Sequence, residues 1–255
     1  MLQEDLELAH LLATRSGRLA LPYYRRKVTH ETKGDGTFVS EVDHLVERSI
    51  LETLFERRPN DRILTEESGD HGPTESARRW IIDPLDMTGP FLRGEPGWGT
   101  HISLEVDGEI EIAVITRPVA DLRWWAQRGQ GAYRSSGTDP LNQSARLQVS
   151  DCATLAEANV GGFAQAGSQA RSTLSHQATW TNDRFCIVGA MAEGRLDAFI
   201  DDGGKPWDQA PAVLIVEEAG GTFFDPTAGR RIDLGWGLYT NGVLSDELRE
   251  YLIPA

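Results

Sequence analysis

Asp83 and Asp86 stand three residues apart in the run Asp83-Pro84-Leu85-Asp86-Met87-Thr88, directly behind the apolar segment Trp80-Ile81-Ile82. Two carboxylates so spaced at a strand end can share a metal ion, and Mg²⁺ in particular is held by a few carboxylates together with phosphate oxygens. Asp-Pro and Asp-x-Thr groupings also serve as turn and cap chemistry, so the run alone leaves both readings open. Three more acidic elements fall at predicted boundaries: Asp43 in Ser40-Glu41-Val42-Asp43, Glu66-Glu67 behind Arg62-Ile63-Leu64-Thr65, and Asp208 in Trp207-Asp208-Gln209-Ala210. Four such elements read together as one hard-cation site that handles phosphate. Pro84 fixes a bend able to turn the Leu85 carbonyl inward. Thr88 is placed as the N-cap of a helix beginning at Gly89, whose free backbone N–H groups could hold a phosphate.

Positioning these residues requires several elements. A helix is expected over residues 4–21, ending at Pro22, and a second over 41–56 with Ser40 as N-cap, which sets Asp43 in a first turn. Residues 100–115 alternate and break at Asp107-Gly108, the signature of a β-hairpin, and residues 122–134 form a second hairpin around Gly129. The second half predicts helices over 183–193, 207–218 and 245–252 and strands over 196–200, 222–224 and 238–240. The hairpins make much of the sheet antiparallel, and the order predicts an α/β fold of alternating helix and sheet layers. A single domain, 1–255, is expected, with sub-domains of roughly 1–138 and 139–255 meeting in the Gly, Ser and Asp-Pro cluster at 135–142.

A chain of 255 residues buries a substantial core without staples. Cys152 and Cys186 lack ligand spacing and read as small apolar residues in a reducing cytoplasm. The acidic start Met1-Leu2-Gln3-Glu4-Asp5 is unlike a signal peptide, and no stretch reaches the ~20 apolar residues of a membrane span. A net charge of -14 argues against nucleic acid and anionic membranes as partners. It would repel a small phosphorylated metabolite too, and bound divalent cations would cancel that repulsion locally.

Taken together the motifs resemble the inositol monophosphatase family. Glu66-Glu67, the stretch from Trp80 to Phe91, Trp207 to Ala210, and Glu218-Ala219-Gly220-Gly221 occur in that family's order and at compatible spacing over nearly the whole chain. The loop from Phe91 to Thr100 and the hairpin segment from Arg123 to Ala132 look most like the bacterial histidinol-phosphate phosphatase branch. The resemblance implies the inositol monophosphatase/fructose-1,6-bisphosphatase-like fold, a homodimer, and two or three Mg²⁺ ions per site. It implies that Glu66, Asp83 and the Leu85 carbonyl hold one ion, and Asp83, Asp86 and Asp208 a second. Glu66 and Thr88 would orient and deprotonate the attacking water, with Asp43 hydrogen-bonded to Thr88 and no phosphoenzyme formed. Met87, Thr88, Asp201 and Asp208 would face the substrate, Asp201 against its alcohol half, where a carboxylate suits a cationic amine or sugar and inositol hydroxyls.

The family's Asp-Gly-Thr is Asp86-Met87-Thr88 here, and its Asn is Pro90. Met87 either crowds the phosphate or adopts an ordinary helical φ; at positive φ it would cost on the order of 1 kcal/mol. Pro90 falls in a first helical turn, where a missing N–H is tolerated. The competing readings are a non-catalytic metal-binding relative and a haloacid-dehalogenase-type phosphatase, whose two aspartates are two residues apart rather than three. The histidines, at 10, 30, 44, 71, 101 and 176, read as surface or loop residues remote from the acidic motifs. Gly161-Gly162 and Gly203-Gly204 read as turns. Trp124-Trp125 puts one ring in the core and the other at an interface or pocket. Lys33 faces either the site or solvent, and Lys205 and Arg184 are weaker candidates for touching substrate.

Overall fold

The computed structural model describes residues 2–136, 141, 144–164, 168–181, 183 and 185–253. Most of the expected boundary cluster at 135–142, and Arg184, lie outside these residues. The helices are α1 (Leu2–Ala20), α2 (Glu41–Arg57), α3 (Thr88–Leu92), α4 (Gln169–Gln177), α5 (Ile187–Ala192), α6 (Pro206–Glu218) and α7 (Ser245–Leu252). A small antiparallel ribbon pairs β1 (His30–Thr32) with β2 (Phe38–Ser40). The eight-stranded sheet comprises β3 (Arg62–Thr65), β4 (Gly69–His71), β5 (Arg78–Asp86), β6 (Gly99–Val106), β7 (Glu109–Arg117), β8 (Leu122–Gln127), β9 (Gly131–Ser136) and β10 (Ser144–Arg146). Its order is β10-β9-β8-β7-β6-β5-β3-β4, antiparallel throughout except between β3 and β5. A five-stranded sheet, β12-β11-β13-β15-β14, is built from β11 (Asn159–Phe163), β12 (Thr179–Trp180), β13 (Ala198–Asp202), β14 (Thr222–Phe224) and β15 (Trp236–Thr240).

The expected alternation of helix and sheet layers is present. Because side chains alternate along a strand, the large sheet buries two separate apolar sets. Trp80, Ile82, Ile102, Leu104 and Val114 pack with Leu12, Val46 and Ile50 of α1 and α2. Ile81, Ala113, Ile115 and Ala126 face the other way and pack with α5 and α6, which in turn meet Phe199, Phe223 and Tyr239 of the smaller sheet. A third cluster joins that sheet's outer face to α4 and α7.

This layering overturns the reading of the tryptophan pair. Trp124 and Trp125 are 1% and 7% exposed, both core, because each face of the sheet is covered. Gly161-Gly162 lies within β11 rather than in a turn, and a Cβ at Gly162 would stand 2.1 Å from the Ile200 carbonyl oxygen. The helix expected over 183–193 is α5, Ile187–Ala192, and ahead of it the Asp183 carboxylate accepts from the backbone N–H groups of Phe185 and Cys186, which diverts those donors from a helical ladder. His10 and His101 are buried, against the expectation of surface positions. His10 packs edge-on to Trp125 and meets Arg123, while His101 points into the acidic cluster described next.

Candidate functional site

The strand carrying the aspartates does not end at Asp83 but runs on to Asp86 with a register shift on the way. Asp83 lies opposite His101 and Asp86 opposite Gly99, so three steps along β5 answer two along β6. In a regular strand, residues three apart point to opposite faces; the extra residue of this bulge, around Pro84, returns Asp86 to the face that carries Asp83. That face looks toward α6. Parallel pairing of β3 with β5 sets Thr65 beside Ile82, and the Glu66 backbone N–H donates to the Ile82 carbonyl, so Glu66 emerges next to Asp83. Asp208 comes from the opposite layer, in the first turn of α6, where its carboxylate accepts from the Lys205 backbone N–H at 2.8 Å.

One ligand-capable atom from each of Asp83, Asp86, His101 and Asp208 falls within 4.8 Å of all the others. Glu66 is not in that group; its Oε1 accepts from Lys33 Nζ at 2.7 Å, and the same ammonium donates to Glu67 Oε1 at 2.8 Å. Lys33 thus faces the site. Thr88 is the first residue of α3 rather than its N-cap, a place taken by Met87. Its hydroxyl donates to Asp43 Oδ1 at 2.8 Å and lies 3.1 Å from the Leu85 carbonyl oxygen. Asp43 is in turn fixed by a capping box with Ser40 at the start of α2. Met87 has φ 64° and ψ 48°, the left-handed conformation, so the backbone keeps a path that a glycine would take easily and the ordinary helical φ is ruled out. In α3, Thr88 and Gly89 retain backbone N–H groups while Pro90 has none.

Electrostatics at the cluster are those of crowded acids. Burial, then the charges of Glu66, Asp86 and Asp208, raise the Asp83 carboxyl well above the usual range. Burial with Asp86 and Asp201 lifts Asp208 to about 7, and burial with Asp202 and Asp86 lifts Asp201 to about 6. Asp86 goes the other way: burial opposes ionisation, but the charges of His101 and Arg117 hold its carboxyl down at about 2. Arg117 Nη2 donates to Asp86 Oδ2 at 2.8 Å, and the guanidinium is fixed from behind by the carbonyls of Phe185 and Thr116. A divalent cation fits this donor set, because it would relieve the crowding of Asp83 and Asp208 beside an Asp86 kept ionised by His101 and Arg117, and because among the described residues the ring nitrogens of His101 lack an aligned hydrogen-bond partner.

A cavity of about 280 Å³ opens beside the cluster. It is lined by Asp183, Asp201 and Asp202 on one hand and by Phe163, Phe185 and Phe199 on the other. His101, Arg117, Asp183 and the phenylalanines escaped the sequence reading. For His101 and Arg117 the missing signal was register: His101 faces Asp83 across β5 and β6, and Arg117 lies two residues beyond Ile115, the partner of His101.

A mixed sheet and a helix N-terminus that bring three aspartates together as a candidate cation site are the setting that a metal-dependent phosphomonoesterase needs. The chain belongs to the inositol monophosphatase family, whose model matches residues 1–254, and is thus a phosphoric monoester hydrolase of a family that uses Mg²⁺. Among similar proteins, a "Glucose-1-phosphate thymidylyltransferase" of Streptomyces griseus is 44% identical over 96% of this chain and 94% of its own length. A "Histidinol-phosphatase" of Mycobacterium tuberculosis is 35% identical over 97% of each chain. Among solved structures, the extragenic suppressor protein suhB of Bartonella henselae superposes with a TM-score of 0.87 at 26% identity, over 99% of both chains. Among the described residues no helix is long and apolar enough to cross a membrane.

Proposed function

We propose that this phosphatase hydrolyses the phosphate ester of a small cationic alcohol, histidinol phosphate being the best match, with Mg²⁺ as the family's ion and two or three ions per site. The observation that carries the reading is the cavity beside the cluster, whose lining combines Asp183, Asp201 and Asp202 with Phe163, Phe185 and Phe199. Carboxylates suit an ammonium group, and aromatic walls suit a flat heteroaromatic ring. The 35% identical histidinol-phosphatase supports the same substrate class.

In this reading Asp83, Asp86 and Asp208 hold cation, joined by Glu66 and the Leu85 carbonyl. Bound divalent cation would supply charge neutralisation for the phosphate and acidify a water molecule. The residues of the chain do the rest. Thr88, by donating its only hydroxyl hydrogen to Asp43 Oδ1, keeps oxygen lone pairs available to accept from a water aligned against phosphorus. Glu66 takes the proton of that water as the new P–O bond forms and the ester P–O bond breaks, and the departing alkoxide takes a proton from a solvent water, whose hydroxide is neutralised by the proton that Glu66 releases. Lys33 holds Glu66 and Glu67 side by side at the edge of the cluster. The backbone at Met87 and Thr88 and the carboxylate of Asp208 face the phosphate, and Asp201 faces the alcohol. The left-handed backbone at Met87 favours a working enzyme over an inert relative, since the chain there follows a path open to the glycine that the family resemblance expects. A homodimer is proposed from the family resemblance, and sedimentation at equilibrium tests it.

The test of specificity is kcat/KM for histidinol phosphate against inositol monophosphates, sugar phosphates and adenosine bisphosphate. A preference of at least about tenfold for the cationic ester, with KM raised in Asp201→Asn, is expected. Preference for an uncharged alcohol would overturn the assignment.

A further inference from the structure

We propose that His101 is a nitrogen ligand of the cation held by Asp83, Asp86 and Asp208, so that the site prefers a transition-series ion, Mn²⁺ best matched, over Mg²⁺. This rests on the metal reading given above and changes the ion and the donor set. His101 is 6% exposed, and among the described residues neither ring nitrogen has a partner in hydrogen-bond alignment. A buried imidazole left so is costly unless something unseen meets it. Its Nε2 lies 3.1 Å from Asp86 Oδ2 but outside hydrogen-bond alignment; a protonated ring is an ion-pair partner of that carboxylate there, and a neutral ring sets a nitrogen lone pair beside its oxygen. Neighbouring ligands of one octahedral ion with bonds of about 2.1 Å are about 3 Å apart, which is this arrangement.

Position follows from the sheet. His101 stands directly across from Asp83 in the β5–β6 register, on the face that meets α6, and the ladder fixes its backbone there. Asp86 is equally fixed, since Arg117 grips its Oδ2 and is itself held by two backbone carbonyls. A set of three carboxylate oxygens and one imidazole nitrogen is less suited to Mg²⁺, which takes oxygen and water, than to Mn²⁺ and its neighbours, which accept both donor types. The orientation of Asp86 by a rigidly held Arg117 is the kind of outer support that a tuned metal site requires.

The experiment titrates the full-length protein, stripped of metal, with Mn²⁺ alone and measures pulsed electron paramagnetic resonance for ¹⁴N coupling to the ion, alongside calorimetric affinities for Mn²⁺ and Mg²⁺. A ¹⁴N coupling of directly bound imidazole is expected in the wild type and its loss in His101→Gln, together with a fall of at least about tenfold in the Mn²⁺ over Mg²⁺ preference. If His101→Gln does not fold, His101→Asn and ¹⁵N-histidine labelling of the wild type give the same readout. Bound Mn²⁺ with no histidine coupling would overturn the nitrogen ligand while leaving the phosphatase reading intact. No binding of either ion would overturn both.

Discussion

Met87 carries the clearest tension between sequence and structure at the scale of single residues. A methionine at φ 64° spends on the order of 1 kcal/mol on its backbone, yet it also packs against the core beneath α1 and α2. Glycine removes the strain and the packing together, whereas a β-branched side chain keeps bulk and worsens the strain. Met87→Val is therefore expected to be at least about 1 kcal/mol less stable than Met87→Gly in urea unfolding; equal stabilities would show that the left-handed backbone is not held. The acidic residues of the site were legible because their motifs announce them. Asp83, Asp86 and Asp208 do converge, and Thr88 does reach Asp43. His101 was not legible, since a histidine in an alternating strand looks like any other until its partner across the ladder is known.

At the scale of elements, the start of α2 and the hairpins read well because they have local chemistry: Ser40 caps α2, and Asp107-Gly108, with φ of 51° and 85°, turns the β6–β7 hairpin; the starts of α3 and α5 did not. The bulge at Pro84 did not read, although it is what puts both aspartates on one face. It depends on pairing with β6, which no local pattern states. Another nonlocal constraint holds α5 against the sheet: a Cβ at Gly189 would lie 2.5 Å from Cε2 of Trp124. Trp124 is buried and its Nε1 donates to Glu193 just after α5, so the ring cannot move aside. Gly189→Ala should cost about 1–3 kcal/mol by forcing α5, with Ile187 and Val188 of the cavity wall, away from β8. Chemical denaturation checks it, and an unchanged midpoint would mean that the helix is free to shift.

For the whole molecule, the acidic cluster makes stability depend on pH and on cation together. Asp83 and Asp208 bind protons more tightly folded than unfolded, Asp208 titrating at about 7 against an ordinary 3.8, and Asp201 at about 6. Groups with raised carboxyl pKa contribute stability at low pH that is lost as pH rises from about 4 through about 7. Asp86, held down at about 2, contributes the reverse, but only below about pH 4, outside that window. The metal-free protein should accordingly melt at a lower temperature at about pH 7.5 than at about pH 5.5, and a divalent cation should raise the midpoint more at the higher pH, because binding must displace those protons. Thermal melts at the two values, with and without cation, decide it; a midpoint that rises with pH in the metal-free protein would mean that the carboxylates are not crowded as described. The central claim, that this cluster is a cation-dependent phosphomonoesterase site, is tested most directly by phosphate release from a panel of monoesters in the presence of divalent cation, after EDTA, and in Asp208→Asn. Release that EDTA abolishes, that re-added cation restores, and that Asp208→Asn lacks is the predicted result. Release that persists through EDTA, or at the wild-type rate in Asp208→Asn, would contradict it.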